Sequence, residues 1–142
     1  MIKLYCRIVD GPTTSKWCQQ ILNAQSNIGC TLAFSGRVRE SNNSRNDVSA
    51  IDYHVYPEMF ETEIEKIVNE LAERFEVETI AVEHSTGRIN LGEESIHVLL
   101  SAEHRKHCFD FLEQFMLEFK ARVPIFKKEI YADGEEWLHS QE

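Results

Sequence analysis

The sequence has no long apolar run. No uninterrupted apolar stretch approaches the roughly 18 residues that a membrane-spanning helix needs, and the start, Met1 to Tyr5, lacks the apolar core of a secretion signal. We therefore expect a soluble cytoplasmic protein with no membrane partner.

Paired cysteine motifs are also missing. The four cysteines, Cys6, Cys18, Cys30 and Cys108, include no C-x-x-C pair, so neither a zinc knuckle nor a disulfide framework is indicated. Reduced, structural cysteines are expected. His104 and His107 lie three residues apart, but no third ligand is spaced nearby, and no metal site is predicted.

Positive charge is scarce, with 15 Lys and Arg against 24 Asp and Glu and a net charge of −9. Phosphate-backbone affinity comes from concentrated basic residues, so a general nucleic-acid binder is excluded. The segment from His104 to Lys128 nevertheless contains six basic and three acidic residues and carries +3. Charge alone leaves open whether this segment is a local anion site or a solvated face.

The order of elements predicts an α+β fold with two layers, in which a mixed or antiparallel sheet packs against two long helices. At 142 residues the chain fits a single domain, 1–142. Helical apolar spacing predicts the two long helices at Glu58–Phe75 and Glu103–Lys120, and a shorter helix ends near Gln25. Strands are predicted at Ile2–Val9, Cys30–Val38, Ser49–Tyr56, Val77–Glu83, Ser95–Leu100 and Ile125–Tyr131, with a turn at Ser85-Thr-Gly87 and a short segment Arg88–Leu91.

Several short motifs occur in a fixed order. They are Phe34-Ser-Gly-Arg-Val-Arg39, Tyr53-x-x-Tyr56-x-x-Met59, His104-Arg105, Lys120-Ala-Arg-Val-Pro-Ile-Phe-Lys-Lys-Glu129 and Gly134-x-x-Trp137. Together they resemble the catalytic (large) subunit family of molybdopterin synthase over nearly the whole chain. The resemblance implies the family's hammerhead-like α/β fold and no bound cofactor.

The resemblance also implies a function. In this family a cyclic pyranopterin monophosphate becomes molybdopterin through two sulfur transfers from the thiocarboxylated C-terminus of a ubiquitin-like small subunit. We expect that sulfurtransferase activity and that partner here. The chain's own cysteines supply neither sulfur.

Site residues follow from the positions of the motifs. The resemblance implies catalytic roles for Lys120, Lys127 and His104. Substrate binding is implied for Arg37, Val38, Arg39, His104, Arg105, Lys120, Lys127, Lys128 and Glu129, and a pocket-lining role for Phe34 and Met116. The chemistry is consistent, because arginine binds phosphate through planar, permanently charged donors, and an ammonium stabilises charge that develops on an acyl oxygen. His104 is a proton shuttle at neutral pH or only a residue at a helix start.

Helix geometry adds a prediction about assembly. His104 and Lys120 are sixteen residues apart on one predicted helix, and a straight helix separates them by about 24 Å. One small pterin cannot easily touch both. We therefore expect a homodimer in which His104 and Arg105 reach the site of a second copy, within a heterotetramer that also holds two small subunits.

Two alternatives remain at this stage. One is a non-catalytic module of the same fold that binds a ubiquitin-like protein or an anionic ligand. Only Ser85 favours it, since the family usually has arginine after the residue corresponding to His84. The other is a stand-alone enzyme that acts on a different phosphorylated heterocycle.

Overall fold

The computed structural model describes residues 1–22, 27–42 and 44–138. Within them the chain forms seven strands and three helices. In chain order these are β1 (Lys3–Asp10), α1 (Lys16–Leu22), β2 (Cys30–Arg37), β3 (Ala50–Val55), α2 (Pro57–Ala72), β4 (Thr79–Asn90), β5 (Glu94–Ala102), α3 (Arg105–Arg122), β6 (Ile125–Tyr131) and β7 (Gly134–Trp137).

The sheet runs in the order β2-β5-β4-β3-β6-β7, and β1 pairs with β4. The β1–β4 pair is parallel and all the others are antiparallel. This confirms the predicted α+β class, with a mostly antiparallel sheet and two long helices.

Strand β4 corrects one prediction. The predicted turn at Ser85-Thr-Gly87 does not interrupt the chain, and a single strand continues to Asn90. Gly87 has a φ of +86°, a conformation that glycine adopts without steric cost and that bends the strand. Pairing persists across the bend because Thr86 is opposite Asp10 in β1 and Gly87 is opposite Tyr53 in β3.

The main core lies between one face of the sheet and helices α2 and α3. It contains fully buried side chains from both helices, among them Phe60, Ile64, Phe111 and Phe115. Helix α2 starts at Pro57, whose fixed φ suits a first helical position. It ends three residues before the predicted Phe75, whereas α3 runs from Arg105 to Arg122, two residues later than predicted at each end.

Helix α1 covers the opposite face of the sheet. Its Cys18 and Leu22 pack against Ala81 of β4 and Leu99 of β5, which alternate with the core-facing neighbours of the same strands. The predicted end of this helix, near Gln25, lies outside the described residues.

All four cysteines are free thiols. The closest pair is Cys30 and Cys108, whose sulfur atoms are 3.4 Å apart at the edge of the main core. Burial raises the pKa of Cys108 to about 12, so the thiol stays protonated and unreactive at neutral pH.

Candidate functional site

A cavity of about 410 Å³ opens where β2, β5 and the C-terminal half of α3 meet β3, β4 and β6. Twelve described residues line it: Phe34, Gly36, Arg37, Arg39, Tyr53, His84, Ser95, Ile96, Met116, Phe119, Lys120 and Lys127. The volume lies within the usual range for small-molecule sites.

The local sequence explains how this wall is built. A shift of register between Gly36 and Arg37 interrupts the ladder between β2 and β5, as a β-bulge does. A Cβ on Gly36 would stand 2.6 Å from a methyl group of the Ile96 side chain, so any larger residue here would force the Ile96 side chain to move. On α3, Met116, Phe119 and Lys120 share one face because of their three- and four-residue spacing.

Four cations surround the cavity: Arg37, Arg39, Lys120 and Lys127. No carboxylate lines it in the part of the chain that the structure describes. This local charge is opposite in sign to the net charge of −9. The cavity therefore attracts anions within an acidic protein.

Three of these cations lack the ion pairs that most of the remaining described arginines form. Arg7, Arg45, Arg88 and Arg122 each form an ion pair with a carboxylate 2.6 to 2.8 Å away. By contrast, Arg37, Arg39 and Lys120 make no ion pair with any carboxylate in residues 1–22, 27–42 and 44–138. Their charges remain available to a ligand.

His84 lies deep in the wall and is only 4% exposed. Its Nδ1 is 2.8 Å from the carbonyl oxygen of Ser85. A carbonyl only accepts, so Nδ1 carries the proton and Nε2 the lone pair of the neutral ring. Burial lowers the pKa of His84 to about 4; the bond to the Ser85 carbonyl opposes the shift, and the charge of Lys127 adds to it.

The hydroxyl of Tyr53 donates to the Ser95 oxygen at 3.1 Å, and the Ser95 hydroxyl in turn lies 3.5 Å from the Gly36 carbonyl. Burial raises the pKa of Tyr53, so the phenol is protonated at neutral pH. The Tyr53 ring meets His84 edge to face, with 5.3 Å between ring centroids.

The structure brings together six of the residues implied by the resemblance: Phe34, Arg37, Arg39, Met116, Lys120 and Lys127. Val38, between the two arginines, is 2% exposed and belongs to the main core. Glu129 is buried and accepts hydrogen bonds from the side chains of Asn42 and Tyr131. It anchors the loop that follows Arg39.

Lys127 and Lys128 lie on opposite faces of β6, as the alternation of a strand requires. Lys127 lines the cavity. The ammonium of Lys128 is 3.2 Å from a Glu135 oxygen and 5.2 Å from the centre of the Trp137 ring. Of these two lysines, only Lys127 lines the cavity of its own chain.

His104 and Arg105 lie at the other end of α3. His104 precedes the helix, and its side chain is 74% exposed. It lines a separate cavity of about 290 Å³ with Met1, Phe75 and His107 among its walls. A rise of 1.5 Å per residue puts Arg105 about 22 Å from Lys120 along the helix.

Six lining residues were not predicted as site residues, and three of them have polar side chains: Tyr53, His84 and Ser95. Tyr53 is part of a motif, but no role followed from the motif. His84 entered the sequence argument only as the residue that precedes Ser85.

In the described part of the chain, no three His, Cys, Asp or Glu residues come together as a metal site, and no helix has the length and apolarity to cross a membrane.

The fold and the cavity define a small α+β protein with an apolar-walled, cationic ligand site. The family model described as "MoaE protein" matches residues 9–122. The molybdopterin synthase catalytic subunit of Pyrococcus abyssi is 36% identical over 117 residues, which cover 82% of this chain and 78% of that protein. This chain belongs to the MoaE protein family.

Solved structures of similar proteins share this fold. Molybdopterin synthase from Staphylococcus aureus superposes with a TM-score of 0.82 at 26% identity, over 92% of this chain and 94% of that chain. A complex of subunits 1 and 2 of molybdopterin-converting factor from Helicobacter pylori gives a TM-score of 0.77, over 94% of this chain and 90% of that chain. At 20% identity, the second likeness shows the fold alone.

Proposed function

We propose that the chain is the sulfurtransferase subunit of a molybdopterin synthase and that the cationic cavity is its active site. A cyclic pyranopterin monophosphate binds there and receives two sulfurs in successive transfers, each from the thiocarboxylated C-terminus of one ubiquitin-like small subunit, which is left as a carboxylate. The observation that carries the proposal is the group of cations Arg37, Arg39 and Lys120, which no described carboxylate neutralises, beside apolar walls that suit a planar ring.

The two arginines suit the phosphate. A guanidinium keeps its charge at all relevant pH values and offers two parallel donors to a phosphate. Arg37 ends β2 and Arg39 follows two residues later, with buried Val38 between them. This buried residue anchors the segment that presents both guanidinium groups.

The two lysines suit the transfer step. Reaction at a thiocarboxylate develops negative charge on oxygen, and a nearby ammonium stabilises that charge more effectively where water is excluded. Lys127 lies on the cavity side of β6 beside buried His84. Lys120 is in the last turn of α3, where the helix dipole also favours a cation.

The reach of α3 supports a shared site. Because His104 and Arg105 lie more than about 20 Å from Lys120 along the helix, a role in catalysis requires a second copy of the chain. We infer a homodimer in which the start of each α3 completes the partner's cavity. Two small subunits then make a heterotetramer.

The structure weakens the case for a non-catalytic module. Successive residues of a strand point to opposite faces, so Ser85 lies on the face opposite His84, together with Glu83. Its side chain is fully buried, and Glu83 pairs there with Arg7. Serine in place of arginine at this position therefore removes no charge from the cavity wall.

A reconstituted single-turnover assay tests the proposal. The purified chain is mixed with the pyranopterin monophosphate and with a small subunit that carries either a thiocarboxylate or an ordinary carboxylate. Dithiolene product is expected with the thiocarboxylate only. Tight binding of the small subunit without product would favour the module, and conversion of substrate without any small subunit would favour a stand-alone enzyme.

A further inference from the structure

The cavity has many hydrogen-bond donors and few acceptors. Its four cations can only donate, and the hydroxyls of Tyr53 and Ser95 bond to each other. A pyranopterin carries ring N–H groups as well as a phosphate, and those N–H groups need an acceptor when they leave water. Among the described lining side chains, His84 is the one with an uncharged basic nitrogen.

The imidazole is fixed in the form that accepts. Nδ1 is held by the Ser85 carbonyl on its own strand, so Nε2, on the far side of the ring, carries the lone pair. The ring is packed by Tyr53, Phe60 and Phe119, with centroid separations of 5.3, 6.2 and 6.1 Å. Such packing leaves it little freedom to turn.

The geometry points to His84 as a substrate-recognition residue, whose Nε2 accepts a hydrogen bond from an N–H group of the bound pyranopterin. This inference rests on the proposed function and adds to it a means of selecting the heterocycle. The arginines hold the phosphate, which many metabolites share. His84 recognises the ring system, because a ligand without a matching donor would leave a buried acceptor unpaired.

Two substitutions test the acceptor. His84→Leu introduces an apolar side chain of similar size that has no lone pair. His84→Gln instead retains an acceptor, its amide oxygen. For His84→Leu we expect the substrate Kd and the KM to rise at least about tenfold, the loss of one hydrogen bond in a site shielded from water. His84→Gln should stay within about threefold of wild type.

Thermal unfolding of both variants separates recognition from folding. A merely structural role for His84 would weaken binding in proportion to lost stability in both variants, without rescue by glutamine. That result overturns the inference. So does an unchanged Kd in a folded His84→Leu variant.

A second measurement does not depend on the variants. In nitrogen-15 NMR spectra of the wild-type chain near pH 7, His84 should show one protonated nitrogen and one unprotonated nitrogen, the latter being Nε2. Addition of the pyranopterin monophosphate should move the Nε2 resonance toward that of a hydrogen-bonded nitrogen, whereas inorganic phosphate should leave it in place. An Nε2 resonance that saturating substrate does not move, or that phosphate moves equally, contradicts the inference.

Failure of this inference is distinguishable from failure of the proposed function. If wild type forms dithiolene product while His84→Leu binds and reacts equally well, only the role of His84 is wrong. If wild type neither binds nor converts the pyranopterin, the proposed function fails and the role of His84 with it.

Discussion

His84 and Ser85 are adjacent in β4 but face opposite sides of the sheet. The His84 ring lines the cationic cavity. The Ser85 side chain is fully buried on the other face, and its hydroxyl oxygen has no hydrogen-bond partner in the described part of the chain. Residue 85 therefore has no direct access to the ligand.

The first prediction is that Ser85→Arg, which introduces the arginine expected from the family resemblance, does not increase activity. Because the side chain at position 85 lies behind the cavity wall, kcat/KM should stay within about threefold of wild type, provided that the variant folds. Steady-state kinetics and a thermal melt check this. A gain of about tenfold or more would mean that the serine does weaken the site.

The second prediction concerns phosphate recognition. Arg39→Ala should raise KM by about tenfold or more, since a charge-assisted hydrogen bond contributes about 1.5–3 kcal/mol, with a smaller change in kcat. Arg88→Ala is the matched control, because Arg88 is exposed and paired with Asp52 at 2.8 Å. Equal effects of the two substitutions on KM would argue against a specific phosphate contact.

The third prediction tests the shared site by complementation. His104→Ala and Lys120→Ala chains should each be nearly inactive when alone. A mixed dimer, purified through two different tags, has one site that lacks both side chains and one site that lacks neither. It should recover about half of the wild-type activity, as twofold symmetry requires.

An inactive mixed dimer would contradict the shared site. If His104 served the cavity of its own chain, each site of the mixed dimer would lack one essential residue. Mixed dimers as inactive as the single variants would then exclude the exchange of helix starts between copies. Active wild-type monomers in gel filtration would lead to the same conclusion.

The fourth prediction is a pH dependence of stability that comes from His84. Burial lowers its pKa from 6.5 to about 4 in the folded chain, so the unfolded chain binds more protons between these two values. Stability is therefore complete above about pH 6.5 and is lost as the pH falls toward 4. Linkage gives a loss of about 2 kcal/mol between pH 7 and pH 5.

Denaturant unfolding of wild type and His84→Gln at both pH values measures this loss. Carboxylates contribute equally to both proteins, so the wild-type decrease should exceed that of the variant by about 2 kcal/mol. Equal decreases would mean that His84 is not held neutral by burial.

Periodicity predicted much of the fold. The apolar spacing in α2 and α3 located both long helices to within three residues, and β6 has the predicted bounds. It failed at β4, because Ser-Thr-Gly is a local turn signal, while pairing with β1 and β3 depends on residues distant in sequence. Local pattern cannot reveal that a glycine bends a strand instead of ending it.

The site was predictable only in part. The motifs located Arg39 and Lys127, but composition alone left open whether the basic segment was a solvated face. The alternation of side chains along β6 is a sequence signal that separates Lys127 from Lys128. His84 could not be found in this way, because a lone histidine in a strand is equally consistent with a core residue.

The most direct test of the account compares Lys127→Ala with Lys128→Ala in the reconstituted single-turnover assay. Both changes remove one lysine from β6, but only Lys127 lines the cavity. The account predicts a loss of about 100-fold or more for Lys127→Ala and of less than about fivefold for Lys128→Ala. Equal losses, or full activity without Lys127, would contradict the assignment of the cavity as the site of sulfur transfer.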